Sequence, residues 1–160
     1  MKKILIVIGL VVASGINIAF FTYEQLAALA PSNSRVWRTL MDIKWVKKYD
    51  PQYKAKMLYP KFSKATLALN NKTISVSGYL IPSDMYEGGG KFWVLSALPF
   101  KSCYFCGGAG PESVMEVYTK NKRSTFHAGK VTFKGKLELN ADNPDHLIYI
   151  LRDAVQTFKK

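Results

Sequence analysis

Thr73-Ile74-Ser75-Val76-Ser77-Gly78-Tyr79-Leu80-Ile81, closed by Pro82, carries the strongest strand signal of the chain. It is rich in β-branched residues and partly alternating, through Ile74, Val76, Tyr79 and Ile81, and Pro82 stops it. A second stretch repeats the pattern more cleanly: Val131, Phe133, Gly135, Leu137 and Leu139 alternate with Lys134, Lys136 and Glu138. A period of two is the signature of a strand with one buried face.

Working outward, Lys91–Leu98 reads as a buried strand around Phe92, Trp93, Val94 and Leu95, and Val114–Tyr118 as another. Leu147–Leu151 is a last strand or a short helix, before a frayed basic tail. Thr66–Leu69 leads as a strand into the turn pair Asn70-Asn71. On the amino side, Val36, Trp37, Leu40, Met41 and Ile43 have helical spacing, but Met41, Ile43 and Trp45 alternate, and the reading favours a first strand near Met41–Val46. Asp50-Pro51 and Asn143-Pro144 mark turns, Gly88-Gly89-Gly90 a hinge or hairpin tip, and Lys56–Lys64 a loop. About six short strands with no βαβ rhythm and no repeat predict a mainly β fold. The economical architecture is a small, OB-like, partly open barrel behind an N-terminal apolar helix, with a compact sandwich as competitor.

The predicted organisation is a signal peptide or membrane anchor over 1–21, a connector and first strand over 22–55, and an OB-like domain over 56–156. Lys2 and Lys3 precede an apolar run from Ile4 to Phe21, near the lower limit for a bilayer span. Ala13-Ser14-Gly15 is a small-x-small cleavage candidate. The thirteen residues after Phe21 hold Glu24 and no Lys or Arg, so the amino end is expected inside and the domain outside, in the cell envelope.

The net charge is +12, and nine basic residues stand between Arg35 and Lys64 against Asp42 and Asp50. Such a run suits an anionic surface, an acidic partner or plain solvation. No nucleic-acid-binding motif accompanies it, and nucleic acid is not expected as a partner. No phosphate-binding loop, dinucleotide fingerprint, nucleophile elbow or His-Glu-x-x-His pattern is present, so no enzyme class follows from the sequence.

One motif carries chemistry: Cys103-Tyr104-Phe105-Cys106-Gly107-Gly108. Cysteines three apart put two sulfurs on one side of a tight turn. A glycine after the second can take positive φ, which lets backbone N–H groups face sulfur. That is the shape of a zinc knuckle, though tetrahedral closure needs two further ligands. His127 and His146 are the only imidazoles and the candidate completions; a second chain is another source. Asp145 is a candidate to orient His146, and Glu112 is a loop cap or an oxygen ligand. Outside the cytoplasm the same pair also reads as a local disulfide. A thiol-oxidoreductase reading is weaker, because Gly-Gly-Ala-Gly-Pro is a poor helix start behind the pair.

Tyr59-Pro60-Lys61-Phe62, Ser77-Gly78-Tyr79-Leu80-Ile81-Pro82 and the run from Cys103 to Glu112 together carry a resemblance. The chain resembles an uncharacterised family of exported bacterial domains with a Gly-Tyr-x-x-Pro strand end, an apolar strand, a Cys-bearing Pro/Gly loop and a later Val-x-Gly-x-Leu strand. The likeness covers Tyr59 to Asp153. In one branch the loop reads Cys-x-His before several prolines; here Phe105 stands at the histidine position and Cys106 follows. A metal-capable group in both loop versions favours coordination over a bridge. Some members are similar to proteins encoded with transition-metal transporters.

The expected function is therefore a non-enzymatic, envelope-side protein that binds or handles Zn²⁺ or Cu(I) through Cys103 and Cys106, with His127 or His146 as completions. The inner membrane, through the N-terminal segment, and an envelope or metal-transport protein are the expected partners. The alternative is an envelope interaction module clipped by a Cys103–Cys106 disulfide, and the third reading is a thiol–disulfide oxidoreductase.

Overall fold

The structure is a computed structural model that describes residues 34–81, 92–120 and 129–157. Helix α1 (Ser34–Leu40) leads into strands β1 (Ile43–Asp50) and β2 (Ala55–Phe62) and the short helix α2 (Lys64–Leu67). Strands β3 (Thr73–Ile81), β4 (Phe92–Ser96), β5 (Val114–Thr119), β6 (Lys130–Leu139) and β7 (Tyr149–Thr157) follow. The last five close into a barrel in the order β3-β4-β5-β7-β6, while β1 and β2 form a separate two-stranded sheet. All barrel pairings are antiparallel except β5 with β7. This is the small OB-like barrel that the alternation predicts. It is closed rather than partly open, because seven register pairs join β3 to β6, from Thr73↔Lys136 to Tyr79↔Lys130.

The core follows from the period-two pattern. Ile74, Val76 and Leu80 of β3 meet Val131, Phe133 and Leu137 of β6, with Leu95, Met115, Val117, Tyr149 and Leu151 from the other strands. Gly78 is where β3 and β4 come closest. A β-carbon there would lie 2.3 Å from the Ser96 carbonyl oxygen. Asp153, with φ of 49°, marks a bulge in β7, where the register against β6 jumps from Lys134↔Val155 to Lys136↔Arg152.

The amino-terminal elements differ from expectation in three places. The helical and the alternating spacings around Trp37 to Trp45 are both used, in succession. Residues 34–40 form α1, burying Trp37 and Leu40 fully, and β1 begins only at Ile43. The Trp37 indole N–H donates to the Ser77 carbonyl at 2.8 Å, and the Tyr149 hydroxyl donates to the Leu40 carbonyl, so α1 is tied to the barrel at both ends of the chain's fold. Lys56–Lys64 is mostly strand, not loop. Pro60 is tolerated in β2 because that strand pairs only with β1 and has a free edge. Thr66–Leu69 is not a strand, since Ser63 caps a helical turn by accepting from the Thr66 N–H at 3.2 Å. The buried Thr66 hydroxyl then donates to the Thr39 carbonyl at 2.7 Å. At the carboxyl end, the expected basic tail continues instead as strand to Thr157, held between β5 and β6.

The predicted leader over 1–21, the Gly88–Gly90 hinge and His127 lie outside the described residues. Among the described residues no helix is long and apolar enough to cross a membrane.

Candidate functional site

The cysteine loop between β4 and β5 is built from three single 3-10 turns, Phe100–Ser102, Tyr104–Cys106 and Pro111–Ser113. Its neck is closed by the Ala97 N–H donating to the Ser113 carbonyl at 2.9 Å. Gly107 takes φ of 75°, the left-handed conformation expected after the second cysteine. The amides it turns inward do not face sulfur, however. Gly107 N–H donates to the Tyr104 carbonyl at 3.0 Å, and Gly108 N–H to the Cys103 carbonyl at 3.1 Å. Backbone carbonyls are the stronger acceptors and lie within the same turn, so they take the donors first.

The turn does bring the two sulfurs together, 3.9 Å apart. A metal–sulfur bond of about 2.3 Å at the tetrahedral angle separates two thiolates by about 3.8 Å, so the pair matches one edge of such a site. The two cysteines are nonetheless unlike. Cys103 is fully buried in a small apolar cluster with Ile81, Val94 and Val114, where the loop folds over the outer side of β3, β4 and β5. Cys106 is exposed. Desolvation of its sulfur, and then the neighbouring Cys103 thiol, push the Cys106 pKa up. A raised thiol pKa in a 3-10 turn is the opposite of the thiolate activation that thiol–disulfide exchange uses.

Among the described residues no group of three or more His, Cys, Asp and Glu side chains is placed to hold a metal ion. His146 is not gathered with the two cysteines. It belongs to a different constellation, which the sequence analysis missed. Its Nδ1 lies 3.0 Å from Oε2 of Glu116, a β5 carboxylate only 5% exposed. Glu116 Oε1 also accepts the Leu147 N–H at 2.8 Å, and Oε2 accepts the Tyr118 hydroxyl at 3.0 Å. A carboxylate at Nδ1 favours the tautomer whose N–H stands on that nitrogen. Arg152 extends the chain of contacts: it stacks 4.4 Å over the Tyr118 ring and donates through Nε to Glu138 Oε2 at 3.0 Å. A signal for Glu116 existed in the sequence, as a charged residue inside the apolar run Val114-Met115-Glu116-Val117.

Asp145, the expected partner of His146, is engaged elsewhere. It accepts the Tyr53 hydroxyl at 3.2 Å and so links the β1–β2 turn to the segment between β6 and β7. That proximity forms a cleft of about 220 Å³ lined by Trp45, Tyr59, Tyr104, Pro111, His146 and Leu147. The cysteine loop and His146 thus share a cleft wall without sharing a ligand set. Glu112 is buried, against Gly110, and its Oε2 has no hydrogen-bond partner.

Compared with known proteins, the chain matches no family model, no curated protein and no solved structure.

Proposed function

We propose that this protein is an exported, non-enzymatic carrier that handles a soft transition-metal ion, Zn²⁺ or Cu(I), on the Cys103–Cys106 loop of its OB-like barrel. The observation that supports the reading is the 3.9 Å separation of the two sulfurs in a turn built by the following glycines. Cys103 and Cys106 would hold the ion, which supplies charge for two thiolates to bind once their protons are lost. A site with two protein donors is open, unlike the four-ligand cages of structural zinc. Such a site suits acquisition and release, with the remaining positions filled by a partner protein, a second chain or a small ligand. The apolar N-terminal segment would keep the barrel at the outer side of the inner membrane, and the resemblance drawn above suits a metal-transport partner.

A second reading is favoured by one observation. Cys103 is fully buried among apolar side chains, as a structural cysteine would be. In that reading the pair closes as a disulfide clip on an envelope interaction module. Free-thiol counting and metal content by mass spectrometry, on protein isolated from the periplasmic or membrane fraction, separate the two. Two free thiols and about one Zn²⁺ or Cu(I) per chain, or per pair of chains, support the carrier. Quantitative disulfide with no metal uptake after reduction refutes it.

A further inference from the structure

The last turn of the cysteine loop, Pro111–Ser113, packs against α1. Beside that contact is a cavity of about 460 Å³, lined by Arg38 of α1, Met41 and Asp42 of the following junction, Ile43 and Trp45 at the start of the β1–β2 hairpin, and Glu112. Small-molecule sites occupy roughly 300–1,000 Å³, so the space is sufficient for a small ligand.

Glu112 sets the chemistry of this cavity. It is 8% exposed, and its Oε2 is buried with no hydrogen-bond partner. The carboxylate lies where a side chain on Gly110 would stand: a β-carbon there would be 2.3 Å from Oε1 and 2.5 Å from Oε2. Donors of its own turn are spent elsewhere, since the Ser113 N–H and hydroxyl both donate to the Gly110 carbonyl, at 3.0 and 2.7 Å. A buried carboxylate without a partner costs free energy that a cation placed on it recovers. The basic residue of the lining, Arg38, is not that cation. Neither Arg38 nor Asp42 nor Glu112 belongs to the two ion pairs found among the described residues. Both signs of charge therefore face one cavity without bridging it. Asp42 is positioned by its backbone, whose N–H donates to the Thr39 carbonyl at 3.2 Å. Met41, Ile43 and Trp45 are partly buried against the barrel core and supply an apolar wall.

We propose that this cavity binds a free α-amino acid with an apolar side chain. Its ammonium group, with three donors, would meet Glu112 and Asp42, and its carboxylate the Arg38 guanidinium. Its side chain would lie on Met41, Ile43 and Trp45. A simple amine is disfavoured because Arg38 repels it, and a simple carboxylic acid because Glu112 and Asp42 do. A zwitterion uses both signs. Neither Cys103 nor Cys106 is part of this lining, so the inference is independent of metal handling on the cysteine loop.

The test is calorimetric titration of the whole chain in mild detergent, with EDTA present to remove metal from the cysteines. The probes are L-phenylalanine and L-leucine, with phenethylamine and hydrocinnamate as analogues of phenylalanine that lack the carboxylate or the ammonium group. At least one amino acid should bind saturably with a Kd of about 1 mM or tighter. Each single-charge analogue should bind at least about tenfold more weakly than phenylalanine, because it leaves a charged group of the site unpaired. Glu112→Gln and Arg38→Gln should each weaken amino-acid binding at least about tenfold. Urea unfolding without ligand checks that these losses are not misfolding. Glu112→Gln removes an unpaired buried charge, so its midpoint should equal or exceed that of the wild type. No saturable binding of either amino acid, or a single-charge analogue that binds as tightly as phenylalanine, overturns the proposal. So does a Glu112→Gln protein that is destabilised as much as Arg38→Gln, with the double variant no worse than either, since Arg38 is then the partner of Glu112.

Discussion

Glu116 and His146 meet across thirty residues of sequence, with Oε2 3.0 Å from Nδ1, and the carboxylate reaches the imidazole from the outer side of the barrel. The pairing follows from the parallel alignment of β5 and β7, which sets Glu116 beside Ile150 and so brings the residues preceding β7 over the Glu116 side chain.

Glu116→Ala leaves the Leu147 N–H and the Tyr118 hydroxyl without their acceptor and the His146 ring without its orienting partner. A loss of about 1–3 kcal/mol in urea unfolding is expected, the range for hydrogen-bonding groups stranded in a buried site. Nitrogen shifts of His146 should report one dominant tautomer, protonated at Nδ1, in the wild type and a mixture in the variant. An unchanged tautomer ratio would show that Glu116 does not set the ring.

The two cysteines should respond differently to the same substitution. Cys103→Ser puts a hydroxyl into the apolar cluster of Ile81, Val94 and Val114, with an expected cost of about 1–3 kcal/mol. Cys106→Ser, at an exposed position, should stay within about 0.5 kcal/mol of wild type. Both should abolish metal uptake. In native protein, iodoacetamide should label Cys106 at least about tenfold faster than Cys103, because only the former is accessible. Equal labelling rates would contradict the burial of Cys103.

The hairpin should show a pH window through Asp50 and Tyr59. The Tyr59 hydroxyl bond, followed by backbone N–H bonds from Gln52 and Tyr53, holds Asp50 below its ordinary 3.8. A depressed carboxylate pKa stabilises the fold above the unfolded value, and the contribution is lost as pH falls through the folded one. The same bond to Asp50, with burial behind it, raises Tyr59 from 10.0 to about 12. That contribution is complete below pH 10.0, where both states keep the phenol proton, and is lost as pH rises to about 12. The stability difference between wild type and Tyr59→Phe should therefore be flat from about pH 5 to 9 and shrink on both sides. Chemical denaturation across pH, followed by tryptophan fluorescence, measures it; a difference independent of pH would exclude the bond.

Gly78→Ala should be among the more damaging single-carbon additions in the barrel. The new methyl group would meet the Ser96 carbonyl oxygen at 2.3 Å and Leu95 Cγ at 2.9 Å, and β3 and β4 would have to separate to admit it. A loss of about 2–3 kcal/mol, or failure to fold, is expected in thermal or urea unfolding.

The strands of the barrel were legible in the chain itself. Ile74 and Val76, or Val131 through Leu139, alternate because one face of each strand is buried, and that constraint acts on neighbouring residues whatever the rest of the chain does. The turn at Gly107 was legible for the same reason, since positive φ is a local demand. Tertiary structure alone decided the rest. Tyr59-Pro60-Lys61 reads as loop until β1 supplies the one neighbour a proline-bearing edge strand needs, and Thr66, in a turn that Ser63 caps locally, is buried with its hydroxyl donating to the distant Thr39 carbonyl. Cys103 and Cys106 stand side by side in the sequence pattern as equals. Only the folding of their loop over Ile81, Val94 and Val114 buries one and leaves the other in solvent. His146 likewise has Asp145 beside it in sequence and Glu116 beside it in space, because side-chain partners are chosen by the distance between strands and not by the distance along the chain.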